Sequence, residues 1–338
     1  MAQEVQKDRI SEYLKLANSG LLFDELSKDY LGKAGVLDLL EDVPVPIVVG
    51  EDGISTLTIS LGMARVVGAD NTFRYAPQYL EYIKRSFGDV AVRILVSEGA
   101  KSAGSGDYEV ACMFFRAALM LEPRSLDALY LYGRALKDAY EIEGSDEQYV
   151  GSFKAEALDV FEVLTMLHPK FAMGYYFLGY AYLNLGLYTK AKLTWDAFMK
   201  LIDEGGDLPE GADVNDLRKE ISERLVSLEP AVAVELACNA IMGGDFASGK
   251  RMLEEHKDEF EKWWPLWYYL GIAETGLANA EAAIDCFKKA LKYSPSNIEV
   301  MKELCAIYEA TGDKVNLEKY TKKIEVVQQN MEDEKNRS

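Results

Sequence analysis

The sequence predicts an all-α chain, a solenoid of helix-turn-helix repeats behind a mostly helical N-terminal segment. Three observations carry that expectation. Matching residues recur at a fixed interval: Gly99 to Gly133, Leu236 to Leu270 and Leu270 to Leu304 each span 34 residues, a period that stacked helical hairpins produce. Apolar residues recur at helical spacing, as in Val214, Leu217, Ile221, Leu225 and Leu228. Proline is sparse, 9 of 338 residues, which leaves room for long uninterrupted helices.

Residues 1–88 lack the repeat. Residues 9–16 are helical in pattern, and 21–40 suggest one or two further short helices. Val43-Pro44-Val45-Pro46 ends any helix there, because proline lacks the donor and restricts the residue before it. Asp52-Gly53 followed by alternating Leu57, Ile59 and Leu61 fits a hairpin, whereas Leu57, Leu61, Met63 and Ala64 fit one helix face. The helix is the favoured expectation. Residues 79–87 are helical and lead into the first repeat.

Three repeats are expected over 89–205. The first reads Gly99, Gly106, Tyr108, Ala111-x-x-x-Phe115, Ala118 and Pro123. The second opens on Leu129, Tyr132 and Gly133 and closes on Ala157-x-x-x-Phe161 and Pro169; its halves match only with about a dozen residues inserted near 141–149. The third reads Tyr175-x-x-Leu178-Gly179-x-x-Tyr182, then Gly186, Tyr188, Ala191-x-x-x-Trp195 and Phe198. Residues 206–229 are expected to form a connecting helix. Three more repeats occupy 230–325: Leu236, Gly244, Phe246 and Leu253; then Trp267-x-x-Leu270-Gly271, Ala283-x-x-x-Phe287, Ala290 and Pro295; then Leu304, Tyr308, Gly312 and Leu317. The fifth carries Glu274 where the third has Tyr182. Residues 326–338 form a tail. In each unit the small residues let two helices approach and the aromatic residues fill the space toward the next unit, so stacking buries what one hairpin cannot.

These motifs resemble the tetratricopeptide repeat, whose 34-residue unit follows the same pattern. The resemblance covers roughly residues 89–325 and implies a right-handed superhelical α-solenoid whose first helices line a concave groove. The family's groove positions fall on Tyr130 and Arg134, on Met173, Tyr176, Tyr180 and Leu183, and on Tyr268, Ile272 and Thr275. Tyrosine there offers apolar area with a hydrogen-bonding tip at low side-chain entropy cost, suited to a peptide or a helix of a partner. One subgroup clamps acidic chaperone tails with lysine, asparagine and arginine. Those positions here hold Val96, Ala100, Leu131, Met173, Phe177, Val234, Cys238, Tyr269, Glu299 and Glu303, so an acidic tail is not the expected partner.

Other chemistry has little to build on. Gly244-Asp245-Phe246-Ala247-Ser248-Gly249-Lys250 matches the spacing of a phosphate-binding loop, but that loop needs a preceding strand and a Ser or Thr after the lysine, and Arg251 follows here. The repeat accounts for both glycines: Gly244 aligns with turn residues Gly186 and Gly312, and Gly249 with the small residues Ala191 and Ala283. His168 and His256 have no second histidine or cysteine at ligand spacing. No catalytic residue, metal or cofactor is assigned.

The formal charge is -19, from 56 acidic and 37 basic residues, which disfavours nucleic acid and anionic lipid and leaves a basic protein partner open. The N-terminus lacks the basic-then-apolar order of a secretory signal, and no stretch of about 18 apolar residues is expected to span a membrane. Cys112, Cys238, Cys286 and Cys305 are widely spaced and read as reduced packing residues. The functional expectation is a cytoplasmic interaction module whose aromatic groove holds a partner's peptide or helix. The alternative is a structural subunit that fills its groove with residues 1–88 and self-associates.

Overall fold

A computed structural model describes residues 8–47 and 55–335. The chain divides into two compact units, Met1–Asn215 and Asp216–Ser338.

The first unit begins with α1 (Ser11–Ala17), β1 (Leu22–Glu25), α2 (Lys28–Ala34), α3 (Leu37–Leu40), β2 (Pro44–Ile47), α4 (Thr56–Ala69) and α5 (Ala76–Phe87). Residues 57–64 belong to α4, whose start is fixed by a capping box between Ser55 and Thr58; Asp52 and Gly53 lie outside the described residues. The one or two short helices expected over 21–40 are α2 and α3, and the structure adds a ribbon that was not expected: β1 and β2 pair antiparallel with Leu22 opposite Ile47 and Glu25 opposite Pro44. Two prolines are tolerated in β2 because a two-stranded ribbon leaves each strand one open edge. The Pro44 carbonyl accepts from the buried Tyr79 hydroxyl of α5 at 2.5 Å.

Three hairpins follow: α6 (Ala91–Gly104) with α7 (Tyr108–Leu121), α8 (Leu126–Tyr140) with α9 (Glu147–Leu167), and α10 (Ala172–Asn184) with α11 (Tyr188–Asp203). The second unit holds most of α12 (Val214–Met242), then α13 (Phe246–Glu255), α14 (Trp264–Gly276), α15 (Ala280–Tyr293), α16 (Ile298–Thr311) and α17 (Lys314–Lys335). Here the structure departs from the expected boundary at 229/230. α12 runs unbroken through Pro230, so the connecting helix and the first helix of the fourth repeat are one element.

Four hairpins close through the same small-to-large contact. A Cβ built on Gly99, Gly133, Gly179 or Gly271 would lie 2.6, 2.5, 2.1 or 2.6 Å from the ring of Phe115, Phe161, Trp195 or Phe287 on the second helix. The fourth hairpin swaps the roles: Ala237 takes the glycine position, and a Cβ on Gly249 would meet the Ala237 carbonyl oxygen at 2.7 Å. The turns repeat as well. Gly106, Gly186, Gly244 and Gly312 take left-handed φ of 83, 71, 91 and 75°, and Ala278 takes 61° at the equivalent point of the fifth.

The insertion in the second repeat becomes a turn over 141–146 and a lengthened α9 of 21 residues capped by Asp146. Its added turns carry Tyr149 and Phe153, whose rings stack at 4.2 Å and receive Tyr13 of α1 at 5.1 and 5.9 Å. The insertion therefore seats the N-terminal segment. Arg9 pairs with Asp159 of α9, Asp8 pairs with Arg116 of α7, and α4 lies so close to α7 that a Cβ on Gly68 would sit 1.9 Å from the Met113 carbonyl oxygen. These contacts place the N-terminal segment against second helices, whereas the sequence-derived groove lies on first helices.

Candidate partner-binding surface

In the first unit the sequence-derived positions converge on one run of rings. On α8, Tyr130 and Arg134 are four residues apart and share a face. The Tyr130 ring is 5.1 Å from Phe171 and 5.9 Å from Phe177, and the exposed Arg134 guanidinium lies 5.6 Å from the Tyr130 centroid and 5.9 Å from Phe177. Phe177 stacks on Phe161 at 5.4 Å and meets Tyr176 edge-on at 5.0 Å. The run continues through Tyr176 to Tyr180 at 5.2 Å and from Tyr180 to Trp195 at 4.9 Å, while Tyr176 also contacts Phe198 at 5.7 Å. Trp195 and Phe198 are fully buried and Tyr130, Tyr176, Phe177 and Tyr180 half-buried, so rigid core rings support the outer ones. The Trp195 Nε1 donates to the Tyr176 carbonyl at 3.1 Å, fixing that support.

Other members fare differently. Met173 is only 8% exposed and belongs to the packing, a correction to its assignment to the groove. Leu183 is half-buried. Tyr268 and Ile272 lie on α14 in the second unit, where Tyr268 contacts Trp264, Tyr269 and Phe287 at 6.1, 5.5 and 6.0 Å and Ile272 packs on the core. Burial, with Glu303 and Glu299 of α16 nearby, pushes the Tyr268 phenol above its ordinary value. Burial and Glu299 likewise raise the Glu303 carboxyl. The two units thus present different surfaces, aromatic with an arginine in the first and tyrosine with carboxylates in the second.

The resemblance to a phosphate-binding loop resolves into packing. Lys250 Nζ sits 2.7 Å from the buried Glu274 carboxylate, which also accepts from Asn279 at 2.9 Å. Burial alone would raise the Glu274 carboxyl; Lys250 and Asn279 outweigh it and hold it below the ordinary value. One repeat position thus has two solutions, since Tyr182 of the third unit donates to Glu162 at 2.6 Å. His168 Nε2 lies 2.9 Å from the Arg124 carbonyl oxygen, and His256 Nδ1 3.7 Å from Glu259. Among the described residues no three of His, Cys, Asp and Glu gather at metal-binding distance.

Sequence reasoning missed a polar cluster in which Arg116, Asp8, Glu156 and the fully buried Tyr132 meet. The Tyr132 hydroxyl donates to Glu156 at 3.0 Å. Its signal was an arginine inside the apolar run 113–118 of α7. Among the described residues α12 is long and apolar enough by composition to cross a membrane, yet its Val234, Ala237 and Ile241 lie in the second unit's core.

The sequence profile of the tetratricopeptide repeat matches residues 174–194 and 265–297. No curated protein matches the chain. Among solved structures it is similar to the TPR domain of P58(IPK), 20% identical over 70% of this chain and 60% of that one with a TM-score of 0.37. It is also similar to MamA, 16% identical over 70% and 92% with a TM-score of 0.28. A tetratricopeptide repeat protein from Parabacteroides merdae is 14% identical over 79% and 93% with a TM-score of 0.31. On the matched segments the chain carries tetratricopeptide repeats, and further helical hairpins flank them.

Proposed function

We propose that this repeat scaffold is an interaction module that holds a peptide or helical segment of a partner protein on the ring ladder of its first unit. The observation that carries the reading is the stack of Arg134 over Tyr130 and Phe177. An exposed guanidinium held over half-buried rings combines the residue types that dominate binding energy at protein interfaces. The rings bring apolar area already ordered by Trp195 and Phe198 beneath them, so little side-chain entropy remains to be lost on binding.

The acidic surface of the second unit and the net charge of -19 support a partner with basic residues beside Tyr268, Glu299 and Glu303. The groove-filling alternative would put the N-terminal segment on α8 and α10, whereas among the described residues its ion pairs and ring contacts with the repeats run to α7 and α9. The reading assigns binding rather than catalysis, with no cofactor. It places the protein in the cytoplasm, supported by four cysteines that are all free thiols.

The test is affinity capture from native extract with the intact chain and with a Tyr130→Ala, Arg134→Ala variant shown by circular dichroism to be folded. Loss of about 2 kcal/mol, roughly a thirtyfold weaker Kd for the captured partner, is expected for two such anchors. Retention of the same partners at unchanged affinity overturns the reading.

A further inference from the structure

The chemistry of the ring ladder narrows the kind of segment it takes, an inference that rests on the reading above. The ladder combines ring surface with hydrogen-bond donors. Its rings, Tyr130, Phe177, Tyr176 and Tyr180, follow one another at 5.9, 5.0 and 5.2 Å. Arg134 carries five N–H donors and no acceptor, and its partners among the described residues are the Tyr130 and Phe177 rings. Stacking of this kind engages the faces of the guanidinium and leaves its in-plane N–H groups for an acceptor. The Tyr130 hydroxyl is a second donor. The main chain adds nothing to the surface, because along the ladder α8 and α10 are helices whose N–H and C=O groups bond within the helix.

Three conformations of an incoming segment meet such a surface differently. A strand brings main-chain N–H groups that need acceptors, and the helices give it no edge to pair with. A helix brings a main chain already satisfied, so its side chains alone must supply the acceptor for Arg134. A proline-rich segment in the polyproline II form has no internal hydrogen bonds, so its carbonyls are open to donors, and its prolines bring no N–H groups to satisfy. Such a segment is also ordered before it binds and packs on aromatic-lined surfaces. We infer that the ladder is a receptor for a proline-rich segment of a partner protein in the polyproline II form. Its pyrrolidine rings lie on Tyr130, Phe177, Tyr176 and Tyr180, and its carbonyls accept from Arg134 and the Tyr130 hydroxyl. The contacts from Arg134 through Tyr130, Phe177 and Tyr176 to Tyr180 measure 5.6, 5.9, 5.0 and 5.2 Å. That path is at most roughly 22 Å long, which polyproline II covers in about seven residues.

The test is fluorescence anisotropy of dye-labelled octaproline with the full chain, beside a Gly-Ser peptide of the same length and a helical Ala-rich peptide. Octaproline is expected to bind saturably and the other two are not. Tyr130→Phe keeps the ring and its packing, removes only the hydroxyl, and is expected to weaken octaproline by about fivefold. Arg134→Ala, at an exposed position, is expected to weaken it by about tenfold. No saturable binding of octaproline, an equal response to the helical peptide, or unchanged affinity in both variants overturns the inference. The broader reading fails separately. If octaproline does not bind but the Tyr130→Ala, Arg134→Ala variant still loses its partner in the capture experiment, only the proline assignment falls; if that capture is also unchanged, the ladder itself is refuted as the binding surface.

Discussion

Gly179→Ala puts the hairpin geometry under direct test. The new methyl would lie 2.1 Å from Trp195 Nε1, 2.4 Å from Cδ1 and 2.6 Å from Cε2. Ordinary contact is about 3.5 Å, so the ring must retreat by more than 1 Å, on the order of a carbon radius. Trp195 has no free volume to move into: it is fully buried, meets Tyr180 at 4.9 Å and donates to the Tyr176 carbonyl at 3.1 Å. Overpacking of this kind costs about 1–3 kcal/mol, and loss of the indole hydrogen bond adds about 1 kcal/mol. The alanine returns about 1 kcal/mol of helix propensity, leaving a net loss of about 2 kcal/mol. In urea unfolding followed at 222 nm that is a midpoint lower by about 0.7–1 M for a unit of this size. Gly151→Ala supplies the opposite sign, because Gly151 is exposed within α9 with nothing within 4 Å of its added Cβ; it is expected to gain up to about 1 kcal/mol. A Gly179→Ala midpoint equal to or above that of the parent chain refutes the packing argument.

Three further outcomes follow from the second unit. Lys250→Ala leaves the buried Glu274 carboxylate without its cation and should cost about 1–2 kcal/mol, discounted because Lys250 is itself partly exposed; adding Glu274→Tyr, the residue type of the third repeat, should restore most of that loss in urea unfolding. Because the folded carboxyl of Glu274 is held below its ordinary value, its stabilising effect is intact above the free-glutamate pKa of about 4.3 and is lost as pH falls through the lower folded value. The stability gap between the parent chain and Glu274→Gln should therefore narrow on acidification and stay constant between pH 6 and 8, on the order of a two-unit plateau. Ala278→Gly should raise stability by about 0.5–1 kcal/mol, since a left-handed alanine costs about 1–2 kcal/mol and the greater freedom of unfolded glycine offsets only part of that; thermal unfolding would show it directly.

The repeats were legible because their defining contacts are local. Gly271 and Phe287 meet within one hairpin, as do Gly179 and Trp195, so each leaves its mark inside a 34-residue window. Tyr130, Tyr176 and Tyr180 were legible only through the resemblance to the repeat family, whose groove positions fall on them. Features made by distant pairs were not. The pairing of Leu22 with Ile47 depends on a ribbon whose prolines argue against a strand, and the compensation of Glu274 comes from Lys250 in the preceding hairpin. Met173 shows the remaining limit: the family resemblance placed it among the groove residues, but close packing of its helix buried it. The continuity of α12 was not legible, because the repeat spacing divides residues 206–229 from 230–325 whereas the helix runs through Pro230.

The central claim is that the first helices of the first unit hold the partner. The most direct measurement is photo-cross-linking in native extract with a benzophenone amino acid in place of the exposed Asp127 on α8, seven residues before Arg134 on the same face, and separately in place of the exposed Leu193 on the second helix α11. The account predicts a discrete cross-linked partner from position 127 that is absent from position 193. A partner captured from 193 and not from 127 would contradict it.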